Sequence, residues 1–174
     1  MAELIPTVDG GVVDATGLRQ VFGRFPSGVT AACALDETGT PVGMAASSFV
    51  AVSLEPPLVG LCVQHTSTTW PRLRERPRIG LSVLGEGQGL ACRQLASKQG
   101  DRFAGLELTP TDDGALLVGG ASAWLDCSVS DVVTAGDHDI VLLRVHRQCT
   151  HPVHGPLVFH ESDFHGLARL GAAS

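Results

Sequence analysis

The 174-residue sequence has no tyrosine and one lysine, Lys98, and aromatic side chains make up only 5% of it. So few aromatics leave little for the stacked-base platforms of nucleic-acid modules. Positive charge is scarce as well. Twelve basic residues face 18 acidic ones, for a formal net charge of −6, the opposite of a phosphate-tracking surface. No CxxC pair occurs; Cys33, Cys62, Cys92, Cys127 and Cys149 are widely spaced, which argues against a zinc ribbon or redox dithiol. No apolar run approaches the roughly 18 residues of a membrane span. The opening MAELIPTVDGG lacks the basic head and apolar stretch of a signal peptide. The expectation is a cytoplasmic protein that binds neither nucleic acid nor membrane, with its thiols reduced.

What is present is apolar and turn-rich. The hydrophobic fraction is 44% and the charged fraction 17%, which excludes a disordered chain. The length suits one domain, read as a loose lead-in over 1–13 followed by a single domain over 14–170. With 21 glycines and 10 prolines, short strands joined by turns are favoured over long helices. A helix capped by Asp14 or Thr16 runs to about Arg24, where Pro26 follows. Strands are expected at Val29–Leu35, Val42 to about Val52, Leu58–Gln64 and Arg78–Leu84. Two long β runs, Ala121–Val133 and Asp139–Arg147, flank Gly136-Asp137-His138, and Pro156–Glu161 forms a last strand. Short helices are expected at Thr68–Arg76 and over 89–98, with 101–110 irregular. Cys33, Cys62 and Cys127 lie in apolar runs and read as small core hydrophobes. About seven strands with two or three helices predict a barrel or sandwich with helices outside.

Conventional catalytic patterns fail one by one. Gly85-Glu86-Gly87-Gln88-Gly89 follows a strand and opens a helix, but the third glycine of a dinucleotide fingerprint is Leu90 here. His151, His154, His160 and His165 cluster near the C-terminus without zincin spacing, and read as turn histidines. Ser27, Asp137 and His138 do not make a hydrolase triad, because no GxSxG elbow is present. Three features point to a ligand. Gly43–Phe49 puts small residues where a core strand would carry bulk, so a flat ring system has room to lie against it. Gln64–Thr69 ends a strand and opens a helix with several hydroxyls, a setting for an anion, to which Lys98 could add its charge. His138 sits at a hairpin tip, from which a loop histidine reaches a ligand cleft.

Read in order, these segments resemble the flavin reductase-like family, the FMN-binding split barrels. The resemblance runs over roughly Phe22–Leu167. It is carried by Phe25-Pro26-Ser27-Gly28-Val29, by Gly43–Phe49 with Val50–Val59, and by Ser82-Val83-Leu84. Lys98–Phe103, Ala123–Cys127, Gly136-Asp137-His138 and Gly155–His160 complete the set. The family's common Thr and Asn in the second motif are Ala45 and Ser47 here.

The resemblance implies a mainly β split barrel with a few short peripheral helices. It implies NAD(P)H-dependent reduction of FMN or FAD, a likeness to homodimers, and a flavin-dependent monooxygenase as recipient of the reduced flavin. By the same likeness, Ala45, Ala46, Ser47 and Ser48 line the isoalloxazine. Cys62, Val63 and Gln64, with Ser67 and Thr68, meet the ribityl chain and phosphate. Ala96 and Lys98 approach the phosphate side, and His138 and Ser27 border the nicotinamide. Hydride passing from nicotinamide C4 to flavin N5 needs no acid, base or nucleophile from the protein. A non-catalytic split barrel that stores or senses flavin stays open as the alternative. The metal expectation is none.

Overall fold

The computed structural model describes residues 4–9, 12–152 and 155–168. In chain order the elements are β1 (Val8–Asp9), β2 (Val12–Val13), α1 (Ala15–Gly23), β3 (Ser27–Gly28), β4 (Thr30–Leu35), β5 (Pro41–Ala46), β6 (Val50–Leu54) and β7 (Pro57–Gln64). There follow α2 (Trp70–Leu73), β8 (Ile79–Val83), α3 (Gly89–Ala96), β9 (Leu108–Pro110), β10 (Leu116–Val118), β11 (Ala123–Ala135), β12 (His138–Thr150), β13 (Val158–His160) and β14 (Asp163–His165).

Seven strands form one antiparallel sheet in the order β5-β4-β8-β11-β12-β7-β6. The two strands at its ends, β5 and β6, are consecutive in sequence. Only Ser47, Ser48 and Phe49 separate them, so the chain itself brings the two edges of the curled sheet together. This is the split barrel that the family resemblance implies.

Side-chain alternation sorts β4 onto two cores. Ala32 and Ala34 point into the barrel with Leu61, Val63, Ile79, Leu81, Val141 and Leu143, where Trp70 and Leu73 of α2 pack with them. Ala31 and Cys33 point outward into a second core with Val29, Leu84, Leu95, Leu116, Val118 and Leu157. Buried on both faces, β4 has the near-continuous apolar sequence of such a strand. Burial pushes the Cys33 thiol up to about 12, which keeps it protonated.

Several expectations are corrected. The strand predicted over Val42–Val52 is two strands, because β5 leaves its ladder with β4 after Ala46 pairs Thr30. The helix predicted over Thr68–Arg76 shrinks to α2, since the Ser67 hydroxyl accepts from the Trp70 N–H at 3.1 Å and holds Thr68–Thr69 in a capping turn. The irregular 101–110 segment contains β9, which pairs β10, and the last strand turns back as β14. The lead-in carries the small β1–β2 hairpin. Cys62 is exposed rather than core, whereas Cys33 and Cys127 are buried as expected. His154 lies outside the described residues. Asp14 caps α1 as expected, accepting from the Gly17 N–H at 2.8 Å.

Among the described residues one charged side chain, that of Asp126, is buried in the fold. Asp126 of β11 is 3% exposed and accepts from Arg78 Nε at 2.8 Å and Arg147 Nε at 2.6 Å. Burial pushes its carboxyl up, but the two guanidiniums outweigh that and hold it below the usual carboxylate range. Asp126→Asn leaves Arg78 without its counter-charge and should cost about 3 kcal/mol in urea unfolding at neutral pH. Because the folded-state pKa is the lower one, this contribution is present above the unfolded carboxyl pKa of about 4 and fades as pH falls below it. The wild-type and Asp126→Asn stabilities should therefore converge in acid; a gap that stays constant to pH 3 would contradict the assignment.

Candidate active site

The seam between the barrel edges generates the site. With β5 finished at Ala46 and β6 starting at Val50, residues 47–49 have no ladder partner. Ser48 substitutes for one. Its Oγ donates to the Cys62 carbonyl at 3.0 Å and accepts from the Cys62 N–H at 2.9 Å, tying the crossing segment to β7. On the other side, the Thr30 hydroxyl donates to the Ala46 carbonyl at 3.0 Å. These bonds fix the backbone of 45–48 while its side chains stay small.

A cavity of about 320 Å³ opens along this segment. One wall is Ala45, Ala46 and Ser47. A second is the face of α3 that carries Cys92, Arg93 and Ala96, and a third is the β13–β14 hairpin, with Phe159, Ser162 and Phe164. The aromatic wall is fitted by a glycine: a Cβ on Gly89 would come within 2.8 Å of the Phe164 ring. Phe159 and Phe164 support each other, with centroids 5.6 Å apart. The predicted Ala45, Ala46, Ser47 and Ala96 therefore meet in one place. Ser27 is half-buried beside it, opposite Phe159 in the β3–β13 pair.

A second cavity, of about 300 Å³, lies further along the same strand. Pro41, Val42 and Gly43 line it with Thr68, Thr69, Arg72 and the loop Gly100–Phe103. Gly43 and Ala45 are two residues apart, about 7 Å along a strand. Arg102 is built into this end: its Nη1 donates to Thr69 Oγ1 at 2.6 Å and to the Gly43 carbonyl at 3.2 Å. A Cβ on Gly43 would crowd Phe103 Cζ at 3.0 Å, so the glycine lets the loop close on β5. The first cavity is thus apolar with small side chains, and the second is polar, lined by Thr68, Thr69, Asp101, Arg102 and Arg72, whose Nη2 donates to Asp36 Oδ2 at 3.0 Å. The expected Lys98 is exposed and lines neither cavity, and the sequence reading missed Arg72 and Arg102. Arg102 stands within the Lys98–Phe103 motif, which was the available signal.

His138 occupies a separate corner. It pairs with Gln64 across β12–β7, and its Nδ1 lies 2.7 Å from Asp137 Oδ1. The hydrogen bond and charge of His138 hold the Asp137 carboxyl below its ordinary range. The His65 N–H donates to the Asp137 carbonyl at 3.0 Å, and His65 Nε2 lies 3.0 Å from Asp139 Oδ1. The hairpin tip is thereby fastened to the start of the Ser67–Thr69 turn. Cys62 and Gln64 face outward and Val63 faces the core, so Val63 offers a ligand only its backbone. Cys62 joins the site through Ser48, two residues along β7 from Gln64. His151 packs edge-on against Trp124, and His160 against His165. Among the described residues no three ligating side chains gather for a metal ion.

A split barrel with a ring-sized cleft at its seam defines a class, and comparison with known proteins gives the family. Residues 22–168 match the flavin reductase like domain. A flavin reductase of Pseudomonas putida is 34% identical over 170 residues, covering 98% of this chain and all of that protein. The reductase subunit HsaB of a flavin-dependent monooxygenase from Rhodococcus jostii is 36% identical over 165 residues, covering 92% and 84% of the two chains. An NADH:FAD oxidoreductase of Streptomyces globisporus, solved with NAD and FAD fragments, superposes with a TM-score of 0.85 at 37% identity, over 96% and 98% of the two chains. The chain belongs to the flavin reductase-like family.

The seam bonds carry a direct expectation. Ser48→Ala removes both partners of the Cys62 peptide and should cost about 1–2 kcal/mol. Ser48→Thr, which keeps the hydroxyl, should restore most of it. Chemical denaturation checks this, and an unchanged stability in Ser48→Ala would show that water replaces the hydroxyl without loss.

Proposed function

We propose that this protein uses NADH or NADPH to reduce FMN or FAD in the cleft at the barrel seam, and hands the reduced flavin to a flavin-dependent monooxygenase. The observation that carries this reading is the pair of cavities that follow one another along β5. The apolar one is floored by Ala45, Ala46, Ser47 and Ala96, and the polar one holds Arg102, Arg72, Thr68 and Thr69. A flat heterocycle with an anionic tail has that same division of character. The relatives named above are a flavin reductase, a reductase subunit of a flavin-dependent monooxygenase and an NADH:FAD oxidoreductase, the last solved in complex with NAD and FAD fragments.

A bound flavin supplies the redox chemistry, taking hydride at its ring. The protein's residues do the rest. Ala45–Ser47 and Ala96 leave space for the ring and present backbone dipoles to it. Thr68, Thr69 and Arg102 hold the phosphate end, with Lys98 approaching from solvent. Phe159 and Phe164 exclude water from one side. His138 and Ser27 orient the nicotinamide, with His138 braced by Asp137. Near-contact alignment of two rings is the main catalytic demand.

The protein acts as a homodimer in this reading. Val50 and Val52 of β6 and Leu142 of β12 converge over Gly60 on the outer sheet face, with Ile140 and Val133 paired beside them. Val50, Val52, Leu54, Val133 and Ile140 are all exposed, an apolar patch of the kind a partner covers. A second copy is the occupant that self-complementary apolar strands favour. No helix among the described residues is long and apolar enough to cross a membrane. All five cysteines are free, which supports a cytoplasmic setting.

Anaerobic mixing of the protein with NADH or NADPH and free FMN or FAD tests the activity. Flavin absorbance should bleach far faster than in buffer. His138→Ala should lower kcat/KM for the nicotinamide by about tenfold or more, roughly 1.4 kcal/mol, with flavin affinity largely kept. No acceleration with any pair would leave the storage or sensing role, and an unaltered His138→Ala rate would remove that residue from the site. Light scattering checks the assembly: wild type should run as a dimer and Val52→Glu as a folded monomer, while a monomeric wild type would contradict it.

A further inference from the structure

Ten residues line the apolar cavity, and one of them is charged, Arg93. It stands on α3 between Cys92 and Ala96, which face the same space. Its guanidinium carbon lies 5.0 Å from the centroid of the Phe164 ring. Stacking of this kind orients a guanidinium plane without consuming its N–H donors. The nearest carboxylate, Asp163, is 3.9 Å from Nη2, a loose and exposed pair of little worth. Among the described residues Arg93 makes no side-chain hydrogen bond. The support is itself fixed: Phe164 rests on Phe159 and on the open face of Gly89. The site therefore contains a pre-oriented cation, with donors to spare, in a cavity otherwise lined by small and aromatic side chains.

We infer that Arg93 favours the reduced over the oxidised flavin. The inference rests on the reading of this cavity as the ring site. Hydride transfer moves two electrons and one proton from nicotinamide C4 to flavin N5, breaking a C–H bond and forming an N–H bond. The nicotinamide ring is left cationic, and the flavin ring gains one negative charge, shared over N1 and the C2 carbonyl oxygen. The oxidised ring is neutral. A guanidinium at this cavity therefore interacts more strongly with the product than with the substrate, as preorganised charge does wherever charge develops. The polar end of the cleft makes no such distinction, because the phosphate carries the same charge in both redox states. Arg72 and Arg102 set overall affinity, whereas Arg93 sets the ratio between the two states.

The test compares Arg93→Gln and Arg93→Lys with the wild-type protein, by anaerobic equilibrium titration with oxidised FMN and with FMN reduced by dithionite. In Arg93→Gln the Kd for reduced FMN should rise about tenfold while that for oxidised FMN moves less than about threefold. A tenfold change in that ratio corresponds to a fall of about 30 mV in the two-electron potential of the bound flavin. Arg93→Lys should recover part of the difference. Equal weakening of both states, or no change in either, overturns the inference while leaving the flavin site in place. A wild-type protein that binds neither form overturns the reading of the cavity along with it. Arg93 is 62% exposed, and a circular dichroism spectrum shared by the three proteins excludes misfolding as the cause.

Discussion

The structure depends on how a seven-stranded sheet closes without a ladder between its edges. Strands β5 and β6 lie at opposite ends of the sheet order yet are joined by three residues. Chain continuity forces the edges together, and two hydrogen bonds from one hydroxyl, Ser48 to the Cys62 peptide, fasten the crossing segment. A complete barrel would bury that segment in a ladder. Because residues 47–49 are not in one, they and the free edge of β5 beside them stay open along a row of small side chains. The proposed binding cleft is a by-product of the closure.

The division of labour follows. The inner core and the outer core, on the two faces of β4, make the seam rigid. Elements outside the barrel then supply chemistry to a fixed floor: α3 brings Ala96 and Arg93, the Gly100–Phe103 loop brings Arg102, and the β13–β14 hairpin brings the aromatic wall. Few charges are needed. A shuttle must release its product, and an open cavity with two guanidiniums at the proposed phosphate position suits moderate affinity better than an enclosed cage would.

Much of this was legible in the sequence because it depends on local signals. Asp14 as a cap and the small residues of Gly43–Phe49 announce themselves by residue type. What escaped depends on distant partners. Val42–Val52 reads as one strand, since the reason it breaks is the geometry of the far sheet edge. Lys98 draws attention as the single lysine, but Arg102 is the residue that the Gly43 backbone and Thr69 hold in the cleft. The cavity wall that Arg93, Phe159 and Phe164 share is not legible in the sequence, because α3 and the last hairpin meet only in three dimensions. Cys62 reads as core because Leu61 and Val63 beside it are core residues, but alternation along β7 turns Cys62 to the opposite, exposed face.

A crystal structure with FMN soaked or co-crystallised tests the central claim most directly. The account places the tricyclic ring against Ala45–Ser47 and Ala96, under Phe164, with the phosphate directed toward Thr68, Thr69 and Arg102. A ring bound anywhere else on the molecule, or a seam closed by side chains with no space for it, would contradict the account.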